Sequence, residues 1–321
     1  MLSTSRPRVL PAALIMTGAL ALTSCTSGDA PAGGGGGGGG EVEMVGLMLQ
    51  DISNPFFAVM QDSMQQAAQQ DGFQVNVQDG RQDLGQQNDQ VDALIQQGAD
   101  LILLNAVDSA GIASAVARAQ AAGIPVVAVD VDAQGADAAV TTDNVEAGRQ
   151  SCQALVDKMG GSGNILIIEG TPTSAPQDRV KGCEEVLAAN PGVEVVGRQA
   201  GKNDRDSGLQ LATDMLTANQ DVKGIFAIND PEALGADLAV RQAGRTDIVI
   251  TGVDGSPEAV KALQDPNSNF YATPAQDPAG MVRKALDVGR GIVAGNPPAE
   301  RITLLKPELV TRDTVSSYPG W

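Results

Sequence analysis

The sequence predicts an α/β fold of two lobes, each a doubly wound parallel sheet with helices on both faces. Three observations point there. About 280 residues follow the glycine run Gly33–Gly40, more than one core ordinarily serves. Short apolar runs of strand length alternate with helical stretches, which gives parallel sheets covered on both sides. That alternation also runs through twice.

In the first series the strand candidates are Val42–Leu49, Gln74–Gln78, Leu101–Leu104 and Val126–Val129. Between them Pro55–Gln70, Gly85–Gln97 and Ala110–Ala122 have helical composition, with small residues at packing spacing. The second series begins near Asn164, with strands at Ile165–Ile168, Val193–Val196, Gly224–Ile228, Ile248–Val253 and Phe270–Ala272. Its helices are Pro176–Ala189, Asp206–Ala218, Pro231–Ala243 and Pro257–Gln264. A last helix, Pro278–Ala294, and one extended run, Ile302–Val310, have to find places in lobes already formed. Asn54-Pro55, Asp230-Pro231, Ser256-Pro257 and Asp277-Pro278 each read as a cap followed by a proline at the first helical position. They set helix N-termini near strand carboxyl ends, where doubly wound folds bind ligands.

Ahead of the fold, Arg6 and Arg8 precede the mostly apolar Val9–Leu22, and Leu22-Thr23-Ser24-Cys25 follows. This reads as a secretory leader, too short for a stable membrane span. The cysteine after small residues resembles the lipobox of bacterial lipoproteins, which implies a leader over 1–24 and a lipid on Cys25. Residues 25–40 end in eight glycines and read as a flexible tether. The expected location is extracytoplasmic, on the outer face of the cell membrane, touching the membrane only through the lipid.

The formal charge is −18, and losing Arg6 and Arg8 makes it more negative. Nucleic acids and anionic lipid surfaces call for the opposite sign. There is no histidine, so the commonest general base and metal ligand is missing, and neither a metal nor a cofactor is expected. Export leaves Cys152 and Cys183 as either a bridge or two buried thiols.

Four apolar strands end in a hydrogen-bonding side chain: Asn105, Asp130, Asn229 and Asp254, two in each series. Any one alone reads as a turn former; four in symmetric positions converge if the lobes face each other across a cleft. Ionised Asp130 and Asp254 accept hydrogen bonds and offer none. They repel anions and suit the hydroxyls of a neutral sugar or sugar alcohol, while Asn105 and Asn229 serve hydroxyls of either polarity. The chain holds only five Phe, two Tyr and one Trp, yet Phe56 and Phe57 adjoin Asn54-Pro55. They are either core residues or an apolar wall for the C–H face of a sugar. A cationic polyamine fits the same residues.

Asn54-Pro55-Phe56-Phe57, Thr142-Asp143-Asn144 with Gly148, Ile228 to Ala236, and Gly252-Val253-Asp254-Gly255 followed by Ala275-Gln276 resemble the ribose-binding-protein branch of type I periplasmic solute-binding proteins. The resemblance runs in order from about Glu43 to the end. It implies Rossmann-like lobes, 41–142 plus 277–303 and 143–276 plus 304–321, joined by a three-strand hinge. The crossings fall near Thr141–Asn144, Thr273–Asp277 and the segment after Ile302. It also implies a monomer that closes over a sugar and presents it to an ABC permease with its cytoplasmic ATPase. The family's ligand residues fall on Asn54, Phe56, Phe57, Asn105, Asp130, Asn229, Asp254 and Gln276; the resemblance alone supplies Gln276. Where ribose binders carry arginines this chain has Val131 and Gln177, of which Gln177 is counted with the ligand residues, and Val253 replaces an aromatic. Arg179 looks like the family's structural arginine. Losing two guanidinium groups, each worth about 1.5–3 kcal/mol, leaves the pocket carboxylates short of partners and turns the expectation from ribose to another pentose, a hexose or a polyol.

Two other classes fit less, and a sensory receptor stays open as the alternative. A regulator with this effector fold would carry a DNA-binding helix pair where the leader stands. A glycosidase could use Asp130 and Asp254 as its pair, but no nucleophile–base motif accompanies them. A sensory receptor differs from a transport component only in its membrane partner.

Overall fold

The computed structural model describes residues 41–321; the expected leader, Cys25 and the glycine tether lie outside the described residues. The first series forms β1 (Met44–Leu49), α1 (Pro55–Asp71), β2 (Gln74–Asp79), α2 (Leu84–Gln97), β3 (Leu101–Leu104), α3 (Ala113–Ala121), β4 (Val126–Val129) and β5 (Ala138–Thr142). Then come α4 (Asn144–Lys158), β6 (Gly163–Glu169), α5 (Ser174–Ala189), β7 (Val193–Ala200), α6 (Arg205–Ala218), β8 (Val222–Ala227) and α7 (Asp230–Gln242). The chain continues through β9 (Val249–Thr251), α8 (Pro257–Gln264), β10 (Phe270–Ala275), α9 (Pro278–Val293), β11 (Ile302–Leu305) and β12 (Glu308–Thr311).

The strands make two six-stranded sheets, ordered β11-β5-β4-β3-β1-β2 and β12-β10-β9-β8-β6-β7. Every pairing is parallel except β10 with β12. The extended run Ile302–Val310 is therefore two strands, one closing the edge of each sheet. The chain passes between sheets three times: from β5 into α4, from β10 into α9, and from β11 into β12.

Each sheet carries an apolar cluster on both faces. Phe56, Met60 and Met64 of α1 and Met281 and Leu286 of α9 cover one side of the first sheet; Leu94 and Val116 of α2 and α3 cover the other. On the second sheet α6, α7 and α8 cover one face, while Cys152, Leu155 and Val186 of α4 and α5 cover the opposite one. A Cys152–Cys183 disulfide joins α4 to α5, with Cα atoms 5.0 Å apart, so of the two readings the bridge holds.

Strand β5 and helix α4 are absent from the elements read in sequence. The strand is Ala-Ala-Val-Thr-Thr, too small and polar to stand out as an apolar run. The helix did have a signal: Asp143 accepts the Glu146 amide at 3.1 Å, and Glu146 stands three residues after that cap. Helices α4 and α5 meet backbone to backbone. A Cβ on Gly148 would lie 1.9 Å from the Arg179 carbonyl oxygen, and one on Gly182 would lie 2.0 Å from that of Val145. Only glycine permits this approach.

Candidate functional site

The carboxyl ends of both sheets meet around a buried cavity lined from the first lobe by Gln50, Asn54, Phe56, Phe57, Asp130 and Val131. Thr173, Pro176, Arg179, Asn203, Asn229, Asp254 and Gln276 face it from the other side.

Asn54 caps α1 by accepting the Phe56 amide at 3.0 Å, which fixes where the helix starts and so where Phe56 and Phe57 stand. The two rings meet edge to face at 5.4 Å. They belong to the first lobe's core and to the cavity wall at once, so the two readings of this pair do not exclude each other.

Asp130 and Asp254 close strands of opposite lobes with positive φ, 68° and 145° respectively. Such conformations are uncommon outside glycine, and aspartate is among the side chains that tolerate the left-handed region. They turn the chain sharply at the strand end. Burial pushes the Asp130 carboxyl up to about 6, against the opposing pull of Arg179 and Asn105. Burial also raises Asp254, although Arg179 draws it down, and the neighbouring Asp230 carboxylate adds to the rise. Both therefore hold protons more readily than an exposed aspartate, and Asp130 is still mostly ionised at neutral pH.

Asn105 does not line the cavity. Fully buried, it donates to Asp130 Oδ2 at 3.0 Å and to the Val129 carbonyl at 3.1 Å, and its Oδ1 accepts the Gln50 amide at 3.1 Å. It braces Asp130 from behind. Asn229 caps α7 through the Glu232 amide at 2.9 Å and donates to the Asn203 carbonyl at 2.9 Å. Gln276 donates to Asp254 Oδ1 at 2.8 Å and accepts from Thr142 at 2.6 Å, tying two crossing segments together at the site.

Gln177 is a correction. It is exposed on α5 and contributes nothing to the cavity; Pro176 and Arg179 of the same helix do. Two residues along a helix turn a side chain by about 200°, so Gln177 and Arg179 cannot share a face. Val131 lines the cavity as an apolar wall, while Val253 is buried behind it.

The resemblance implies a structural role for Arg179 and carboxylates short of partners. Instead Arg179, 4% exposed, lies in the cavity wall. It donates to Asn144 Oδ1 at 2.8 Å and to the Ile228 carbonyl at 2.9 Å, and its guanidinium stands 3.4 Å from Asp254. Sequence reasoning missed three further polar lining residues. Thr173 and Asn203 sit on loops of the second lobe, with Asn203 at φ 62°. Gln50 follows β1, and its Oε1 is buried with no partner among the described residues.

Two doubly wound lobes, crossed three times by the chain and closing over a buried polar cavity, define a bilobal solute-binding protein. Residues 45–297 match the periplasmic binding protein domain family. The chain belongs to that family, in its type I, ribose-binding-protein-like branch. It is 33% identical to the ribose import binding protein of Bacillus subtilis (strain 168) over 254 residues, covering 78% of this chain and 82% of the relative. It is 29% identical to the xylitol-binding protein of Mycolicibacterium smegmatis over 300 residues, covering 92% and 83%. Among solved structures, an ABC transporter solute-binding protein from Mycobacterium smegmatis with bound glycerol superimposes with a TM-score of 0.82 at 30% identity, covering 88% of this chain and 98% of that one. These relatives are binding proteins and not enzymes.

Proposed function

We propose that this chain captures a neutral sugar or sugar alcohol for an ABC importer by closing two lobes, 41–142 plus 277–303 and 143–276 plus 304–321, over it. One observation carries the reading. Carboxylates from opposite lobes, Asp130 and Asp254, line one cavity with the Phe56 ring, so a molecule with hydroxyls on two sides bridges the lobes. Interactions made only in the closed state are what drive closure. The ligand set is Asn54, Phe56, Phe57, Asp130, Asn229, Asp254 and Gln276, extended by Gln50 and Arg179, with Asn105 behind it.

A buried guanidinium in the same wall weighs against a polyamine. Arg179 is engaged with the protein's own groups and Val131 stands where ribose binders carry an arginine, which favours a solute other than ribose. The relatives named for xylitol and found with glycerol support a linear polyol as readily as a ring. Export with a lipid on Cys25 would hold the protein, as a monomer, on the outer face of the membrane beside its permease.

A thermal-shift panel of pentoses, hexoses, inositols, linear polyols and polyamines tests this, since a ligand of the folded state raises its stability. Neutral polyhydroxy compounds should raise the melting temperature. A response confined to the polyamines would overturn the reading.

A further inference from the structure

Beside the buried cavity runs a second, larger space between the lobes. The inner cavity is much the smaller of the two. Asn54, Asn203 and Asp254 form walls of both, so the two spaces adjoin at these side chains. The inner cavity has no room for a second ring, and the groove does.

The groove's lining says what would occupy it. Trp321, the one tryptophan of the chain, stands there with Pro55, Leu234, Pro231 and Pro257. Its indole N–H is already used, donating to the Asp254 carbonyl at 2.7 Å, and its ring meets Phe56 edge to face at 5.7 Å. What the indole offers the groove is apolar surface. Concave sites of aromatic and apolar residues with a few polar groups suit small organic ligands.

Charge decides against an anion. Asp51, Asp204, Asp254 and Glu258 stand against Lys202, Arg205 and Lys261, four acids to three bases, and Arg205 lies 3.6 Å from Glu258. Helices α1, α6, α7 and α8 all begin at this groove, yet each has its own side-chain cap: Asn54, Asp204, Asn229 and Ser256. The helix-end donors that would attract a phosphate are thus partly satisfied from within.

We infer that the groove is an outer subsite for a second neutral sugar unit, joined to the one held inside, so that the chain accepts glycosides of its solute. This rests on the proposed sugar-binding reading and deepens it.

The test is titration calorimetry in two stages. Xylitol, myo-inositol, D-ribose and D-allose are measured first. For whichever binds, O-methyl and O-glycosyl derivatives at each hydroxyl follow. One position should tolerate glycosylation, with affinity at least tenfold above the parent's, while the other positions lose more than a hundredfold. In Lys261→Trp, which fills the groove from its rim, and in Trp321→Ala, the ratio of glycoside to parent affinity should fall to one or below. Loss of more than a hundredfold at every position would overturn the subsite and leave the parent-binding function standing, as would an unchanged ratio in both variants. If neither parents nor derivatives bind, the sugar-binding reading falls and the subsite with it.

Discussion

The hydroxyl of Ser174 accepts the amide of Asp132 at 2.7 Å, and the Ser174 amide donates to the hydroxyl of Ser109 at 3.1 Å. Ser174 opens α5 in the second lobe; both partners lie in the first. Thr173, the cap of α5, makes no side-chain capping bond. A first-turn amide of this helix is therefore satisfied from across the cleft, and only while the lobes meet. Asp132 is itself held by the guanidinium of Arg301.

Ser174→Ala removes the acceptor and keeps the amide. One hydrogen bond of about 1 kcal/mol corresponds to roughly fivefold in affinity. The bond forms after the solute has docked, so the loss should appear in dissociation. Stopped-flow binding of an identified ligand should show faster release at unchanged association; slower association alone would contradict this role for Ser174.

Asp130 gives a pH dependence with a definite sign. Its carboxyl sits at about 6 in the folded chain, against an ordinary 3.8. Between those values the native state binds more protons than the unfolded one, so this group's stabilisation is full below about 4 and lost as pH rises through about 6. Asp130→Asn should then stabilise the ligand-free protein at pH 7.5 by about 1–3 kcal/mol while weakening solute binding. Urea denaturation of both proteins at pH 4 and 7.5 measures it. An equal difference at the two pH values would refute the assignment.

Arg179→Met tests the buried ion pair. Removing one partner leaves Asp254 uncompensated, which costs about 3–5 kcal/mol. Because Asp254 can take up a proton instead, the loss should be smaller at pH 5 than at pH 8. Denaturant midpoints at both pH values read this out, and a pH-independent loss would show that Arg179 acts through packing alone.

The disulfide closes a loop with a sequence separation of 31. A loop of that size is worth about 3–4 kcal/mol in the chain-entropy account. Cys152→Ala with Cys183→Ala should lower stability by about that much. Both cysteines lie in the second lobe, so ligand affinity measured below the melting transition should stay within threefold.

The lobes were legible because parallel strands buried on both faces leave apolar runs, and the runs were arranged twice. The site aspartates were legible because each ends such a run. Phe56 and Phe57 could be placed because the Asn54 cap sets the helix start beside them. What escaped has physical causes. Asn203 and Thr173 lie on loops, where no periodicity announces a side chain's direction. Arg179 projects from a helix interior, and its position depends on the Gly148 and Gly182 contact between α4 and α5. Asn105 was read as facing the solute, because a strand-end position does not reveal whether its amide turns toward the cavity or toward Asp130 behind it.

Trp321 links the lobes in another way. It binds the backbone of Asp254 on one side and the ring of Phe56 on the other, and the chain has no second indole. Emission from the unlabelled protein excited at the red edge of its absorption comes from this single fluorophore. If the lobes part as proposed, this ring separates from Phe56 and water enters around it. The molecule thus carries its own optical gauge of lobe separation, readable in real time without dyes or engineered labels.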